Sequence, residues 1–139
     1  LSSYQFTYNE KTYALGKDNC SYLMNDEEHP VAGIEIDDIL ELLNQGEGAD
    51  FDLKYYGQPC QNCHGGKEEK AKFFKFLEDH FYIFTKNGAY VMSSLSKEFT
   101  NTSVTKLLKE GKIDNSFIVS IIVCINCEEY SIEIEQCDV

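Results

Sequence analysis

Two Cys-x-x-Cys pairs, Cys60-Gln61-Asn62-Cys63 and Cys124-Ile125-Asn126-Cys127, constrain this chain more than any other feature. Each follows a run that reads as a β-strand. Four thiolates in two such pairs are the usual donor set of a closed tetrahedral zinc site. The pairs lie in the middle of the chain and near its end, so a shared ion would tie distant segments together. The expected ligands are Cys60, Cys63, Cys124 and Cys127, and the expected cofactor is a structural zinc. The second pair resembles half of a zinc ribbon: an apolar strand enters, the turn binds, and a strand leaves through Glu129-Tyr130-Ser131-Ile132. A closed four-cysteine site has no open position for water, so no catalytic residue is assigned.

Three other readings of the cysteines compete. Cys60-Gln61-Asn62-Cys63-His64 fits the short haem-attachment string. Haem would need export and a second axial ligand, with Met24 and Met92 the only thioethers, and would leave the second pair unexplained. A redox dithiol usually occupies the first turn of a helix, where the dipole lowers the thiol pKa. Here His64-Gly65-Gly66 separates the first pair from the helix expected after it, yet thiol-disulfide chemistry remains the alternative function. Structural disulfides would require an exported protein. Cys20 and Cys137 read as small buried hydrophobes, Cys137 with the option of exposure near the C-terminus. His64 reads as flanking the metal rather than ligating it.

The chain has 139 residues, enough for one domain with a sizeable core, and 1–139 is read as a single domain. The order of elements is strand, strand, helix, strand, helix, two strands, helix, two strands. That order predicts an α+β fold with a largely antiparallel sheet and about three helices. A hairpin spans residues 3–15 around Asn9-Glu10-Lys11, with Tyr4, Phe6 and Tyr8 on one face. Residues 16–30 read as irregular, with one short turn around Cys20 to Met24. Helix one covers Asp37 to Gln45, because Ile36, Ile39, Leu40 and Leu43 recur with helical spacing and Gly46 offers a stop. Phe51, Leu53 and Tyr55 alternate as a strand leading to the first pair.

Helix two is expected from Lys67 to Asp79, with Phe73, Phe74 and Leu77 on its buried side and His80 capping its end. Phe81 to Lys86 and Ala89 to Leu95 form a hairpin around Asn87-Gly88, the pair best suited to a type I′ turn. Helix three covers Ser103 to Glu110, capped by Thr102 and stopped by Gly111. Phe117 to Val123 is nearly all apolar and β-branched, which predicts a central strand buried on both faces. Tyr130, Ile132 and Ile134 alternate with Ser131, Glu133 and Glu135 in a last strand with one wet face.

Charge excludes one class of partner. Formal net charge is −12, and there is no arginine. Residues 1–52 hold 12 acids and two lysines, while 53–139 hold 12 acids and 10 lysines. Phosphate binding needs a basic footprint, so no nucleic-acid partner is expected. The acidic third reads first as solvated surface. Its sharper reading is a face for a basic protein partner, centred on residues 18–52, which hold 11 acids and no lysine. Gly65-Gly66-Lys67 lacks the rhythm of a phosphate loop. Lys67, Lys70, Lys72 and Lys75 with Glu68 and Glu69 read as a solvated helix face. Glu27-Glu28 and Asp37-Asp38 lack the rhythm of a calcium loop. No apolar run has membrane-spanning length, and the N-terminus opens directly into strand-like sequence, so a cytoplasmic location is expected. Oligomeric state is left open.

The run from Val119 to Cys124, continued by Tyr130 to Cys137, resembles the C-terminal segment of a family of small clostridial proteins classed as a domain of unknown function. The segments Phe51 to Tyr56 and His80 to Lys86 are similar to it too, and the resemblance covers nearly the whole chain. It implies a small cytosolic bacterial protein and brings no substrate or catalytic residue with it. Together these readings describe an acidic, zinc-stabilised binding or regulatory module.

Overall fold

The computed structural model describes residues 2–46, 50–60, 63 and 74–138. The chain opens with a hairpin of β1 (Ser3–Tyr8) and β2 (Lys11–Gly16). Asn9 and Glu10 form its two-residue turn with φ of 50° and 68°. Both values are positive, as a turn matching the strand twist requires. β3 (Cys20–Met24) follows, then helix α1 (Ile36–Gln45) and β4 (Asp52–Tyr56). The long β5 (Phe74–Lys86) turns at Asn87 and Gly88, φ 53° and 81°, into β6 (Ala89–Ser93). Helix α2 (Val104–Lys109), β7 (Asn115–Cys124) and β8 (Tyr130–Gln136) complete the chain. Among the described residues there are two α-helices, not three.

Six strands form one mixed sheet in the order β3-β8-β7-β5-β4, with β6 also paired to β5. All pairings are antiparallel except β3 with β8, which is parallel. One sheet face carries Leu77, Phe81, Ile83, Val119, Ile121, Val123, Ile132 and Ile134. The apolar stripe of α1 (Ile39, Leu40, Leu42, Leu43) and the β1–β2 hairpin join this face in a single core. Phe6 of the hairpin stacks on Phe51, with ring centroids 3.9 Å apart. A smaller cluster of Phe84, Leu107 and Ile113 lies on the other face, where α2 packs. Each fully buried side chain of this size contributes about 1.5–3 kcal/mol relative to exposure.

Several expectations are corrected. Phe74 to Asp79 is strand, not helix. The start of the expected helix, Lys67 to Phe73, lies outside the described residues. The helix-like spacing arises because β5 is covered on both faces: Phe74 is buried on one and Leu77 on the other. His80 therefore caps nothing; it is exposed on β5, edge-on to the Tyr82 ring. Cys20 to Met24 is a strand whose partner, β8, is more than 100 residues away, which local sequence cannot reveal. β7 is fully buried on one face only, with Ile118, Ser120 and Ile122 half-buried on the other. The cap of α2 is Ser103, whose hydroxyl accepts from the Lys106 amide, rather than Thr102. Gly46 does follow α1, but at φ −69°. What restricts it is packing: a Cβ there would stand 3.1 Å from the Leu95 side chain.

Candidate metal centre

Sheet order explains why the two cysteine pairs meet. β4 and β5 are antiparallel and end together at the Tyr56–Phe74 rung, so the segment carrying Cys60 and Cys63 leaves and returns at one place. β5 is also antiparallel to β7, with Phe76 opposite Cys124. The turn from β7 to β8 therefore opens at the same end of the sheet as the β4–β5 connection. Nothing in the spacing of either pair encodes this; three strand pairings do.

The four sulfurs of Cys60, Cys63, Cys124 and Cys127 all lie within 4.8 Å of one another. Cys60 Sγ is 3.7 Å from Cys127 Sγ, and Cys63 Sγ is 3.6 Å from Cys124 Sγ. Both of these contacts join one pair to the other. A tetrahedron with metal–sulfur bonds of about 2.3 Å has edges of about 3.8 Å, and a disulfide is far shorter at about 2.05 Å. The donor set and its spacing suit a metal ion bound by four thiolates.

The second turn is the better organised. Cys124 is buried, Cys127 is half-buried, and Glu128 takes φ 63° to reverse the chain. The Cys124 amide donates to Glu129 O at 2.9 Å, and the Glu128 amide donates to Cys124 O at 3.0 Å. Burial pushes the Cys124 thiol up, opposed by hydrogen bonds from the backbone of Cys127 and Asn126. Burial likewise raises Cys127, opposed by the backbone of Glu129. Amides aimed at sulfur favour the thiolate, the form that binds metal.

Residues from the N-terminal hairpin region brace this turn, and no motif marked them. Asn19 Nδ2 donates to Glu128 O and to Ala14 O, each at 2.9 Å, while its Oδ1 accepts from the Gly16 amide at 2.8 Å. Lys11 Nζ donates to Ile125 O at 3.3 Å and lies 3.8 Å from a Glu128 carboxylate oxygen. Tyr130, directly after the turn, donates its hydroxyl to Gly16 O at 2.7 Å.

Of the remaining candidates, His64, Gly65, Gly66 and Lys67 lie outside the described residues. Cys20 and Cys137 are half-buried rather than buried, and Cys20 packs against the core. His29 is exposed, its amide donating to Asp26 Oδ1 at 2.8 Å. Asp26 also accepts from the Gln136 amide, and these bonds hold its carboxyl below the usual range. No described helix is long and apolar enough to cross a membrane.

The fold and its cysteine cluster define a small α+β domain with a potential four-thiolate metal centre. The model of the family described as Protein of unknown function (DUF3785) matches residues 4–139, and the chain belongs to that family. No curated protein and no solved structure matches it.

Proposed function

We propose that the chain is a zinc-stabilised binding or regulatory module, in which one zinc ion held by Cys60, Cys63, Cys124 and Cys127 clamps the end of the sheet. The single observation that carries this reading is the four-sulfur cluster, with cross-pair contacts of 3.6 and 3.7 Å at the meeting point of two strand connections. Zinc is favoured over other ions by soft thiolate donors in a tetrahedral arrangement. Backbone amides aimed at the Cys124 and Cys127 sulfurs partly offset the burial that raises both thiols. The role is structural, since four thiolates complete the coordination of the ion.

The thiol-disulfide alternative draws less support. A catalytic dithiol pairs its sulfurs within one Cys-x-x-Cys turn and uses a helix N-terminus to lower a thiol pKa. Here all four sulfurs form one cluster, with Cys60 and Cys127 at 3.7 Å and Cys63 and Cys124 at 3.6 Å across the turns, rather than an isolated dithiol.

The surface supports a basic partner. Asp18, Glu27, Glu28, Glu35, Asp38 and Glu41 are exposed in the acidic third, where their field repels nucleic acid and accelerates encounter with a basic protein. A cytoplasmic location agrees with reduced, metal-binding cysteines. Elemental analysis of protein purified without added metal tests the central claim. One zinc per chain, and a melting temperature lowered by chelator, is expected. Metal-free protein that cycles between dithiol and disulfide with dithiothreitol would replace this reading with the redox one.

A further inference from the structure

A trough of about 280 Å³ abuts the cysteine cluster on the sheet face opposite α1, with Cys60 and Cys124 contributing to its lining. Its floor is Ile122 and Ser131, neighbours across β7 and β8, and Tyr22 of β3 stands beside Ser131 on the next strand. The small Ser131 leaves the depression between Tyr22 and Ile122. Tyr56 and Phe76 line it too, packed edge to face with centroids 5.3 Å apart at 89°. The Tyr56 hydroxyl donates to Glu78, which fixes the Tyr56 ring. Two carboxylates, Glu129 and Glu133, face the space, and among the described residues no lysine or histidine lines it. Glu129 and Glu133 have no ion-pair partner among the described residues.

We propose that this trough receives a lysine side chain presented by a basic protein segment. The ammonium group sits against the Glu133 carboxylate and the rings of Tyr22 and Tyr56, and the aliphatic stem lies over Ile122 and Phe76.

Three features favour that occupant. Two carboxylates on one wall, with no described basic residue beside them, repel anions and attract cations. Aromatic faces beside them add cation–π attraction, which strengthens as water is excluded. The four-carbon stem of lysine matches the apolar surface of Ile122 and Phe76, which a small inorganic cation would leave bare. The Glu133 carboxylate and the Tyr22 phenol are close enough to contribute to the upward shift of the Tyr56 phenol, behind burial and Glu78, so these groups share one field. A protein source, rather than a free amine, follows from position: Tyr22 lies within the acidic stretch, whose exposed carboxylates attract the residues flanking the lysine. The proposal deepens the binding-module reading. The zinc centre would add a net charge of −2 nearby, but the two carboxylates and the aromatic rings are present without it.

The test is titration of the purified full-length protein with the peptide Gly-Ser-Lys-Ser-Gly, its lysine-acetylated form, the basic peptide Gly-Arg-Ser-Lys-Ser-Arg-Gly and n-butylammonium, followed by NMR. Saturable shifts confined to Tyr22, Tyr56, Ile122 and Ser131 are expected with the lysine peptide, and at least about tenfold weaker binding after acetylation. Glu133→Gln should weaken the lysine peptide about tenfold and Tyr22→Ala about fivefold, both at unchanged melting temperature and zinc content. Shifts spread without saturation over the acidic surface would overturn the proposal, as would equal binding of the acetylated peptide or indifference to both substitutions. Binding of the basic peptide Gly-Arg-Ser-Lys-Ser-Arg-Gly no tighter than that of n-butylammonium would overturn the protein source. A zinc-loaded protein that ignores the peptide sinks the trough alone; a zinc-free protein that binds it sinks only the metal reading.

Discussion

Cys124 ends a strand paired on both sides and is 3% exposed, whereas Cys63 is exposed on the connection between β4 and β5. The turn after Cys124 is held by its own amides and braced by Asn19, Lys11 and Tyr130. Cys63 and Cys124, which meet across the cluster, therefore differ in how far the protein buries them. The Cys124–Cys127 turn is shaped by the protein before any ion arrives. Cys63 meets it across the cluster at 3.6 Å, a contact between thiols that becomes a strong link only when metal joins them. The proposed zinc would therefore join an exposed cysteine of one connection to a buried one at the end of a central strand.

The largest expected effect comes from removing one ligand from each half. Cys63→Ser should abolish tight zinc binding and leave a protein that melts like the chelated wild type. Cys124→Ser should do the same and cost a further 1–3 kcal/mol or so, because its hydroxyl is left in a buried site beside β5. For a chain of this size that is a further fall of very roughly 5–10 °C in melting temperature. Differential scanning calorimetry of both variants, with and without chelator, checks this. Equal melting of the two would break the comparison, and a chelator effect surviving in either would break the metal assignment.

A smaller effect is expected at the brace. Asn19→Ala removes three hydrogen bonds that tie the start of β3 and the end of β2 to the second turn. Groups that orient a ligand-bearing segment typically change metal affinity about tenfold or more when lost. Competition against a chromophoric chelator should show zinc affinity down by about tenfold. Stability of the metal-free protein should fall by about 1–2 kcal/mol, since the Gly16 amide and Glu128 carbonyl lose a partner at a partly buried position. Full affinity in this variant would mean that the second turn needs no outside support.

The asymmetry was only partly legible in the sequence. Cys-x-x-Cys spacing is local chemistry, so both pairs and their four residues could be picked out directly. The Asn87-Gly88 turn, the stripe of α1 and the alternation of β8 are also local patterns, and each is found where its pattern places it. What local spacing could not reveal was pairing at a distance. Phe74 and Leu77 read as one helical face because each is covered by a different part of the chain. Cys20 to Met24 lacked a strand pattern because its parallel partner supplies the reason for it to be extended. The misread helix mattered for chemistry: with strand there, the first cysteine pair sits on a strand-to-strand connection, the geometry that lets it face the second. Asn19 carried no signal, since an isolated Asn in an acidic stretch looks like any other turn residue.

The smallest expected effect is at Lys11, and it tests whether the brace is made of charge or of hydrogen bonds. Its ammonium stands 3.8 Å from Glu128, with the two side chains 46% and 45% exposed. It also donates to Ile125 O at 3.3 Å and lies 4.9 Å above the Tyr13 ring. An exposed pair of this kind contributes about 0.2–1 kcal/mol and is screened by salt. The carbonyl bond and the ring contact are less sensitive to salt, because neither partner carries a full opposing charge. Lys11→Ala should therefore cost less than about 1 kcal/mol in low salt, with zinc affinity changed by less than about threefold. Glu128→Gln, which keeps the side chain's shape, separates the contributions: it removes the ion pair and leaves the other two contacts of Lys11 in place. If Lys11→Ala remains destabilising in about 1 M salt, where screening is nearly complete, while Glu128→Gln becomes silent, the lysine braces the turn through Ile125 and Tyr13. If both become silent together, the support at this point is ionic, and Asn19 and Tyr130 supply the fixed part of the brace.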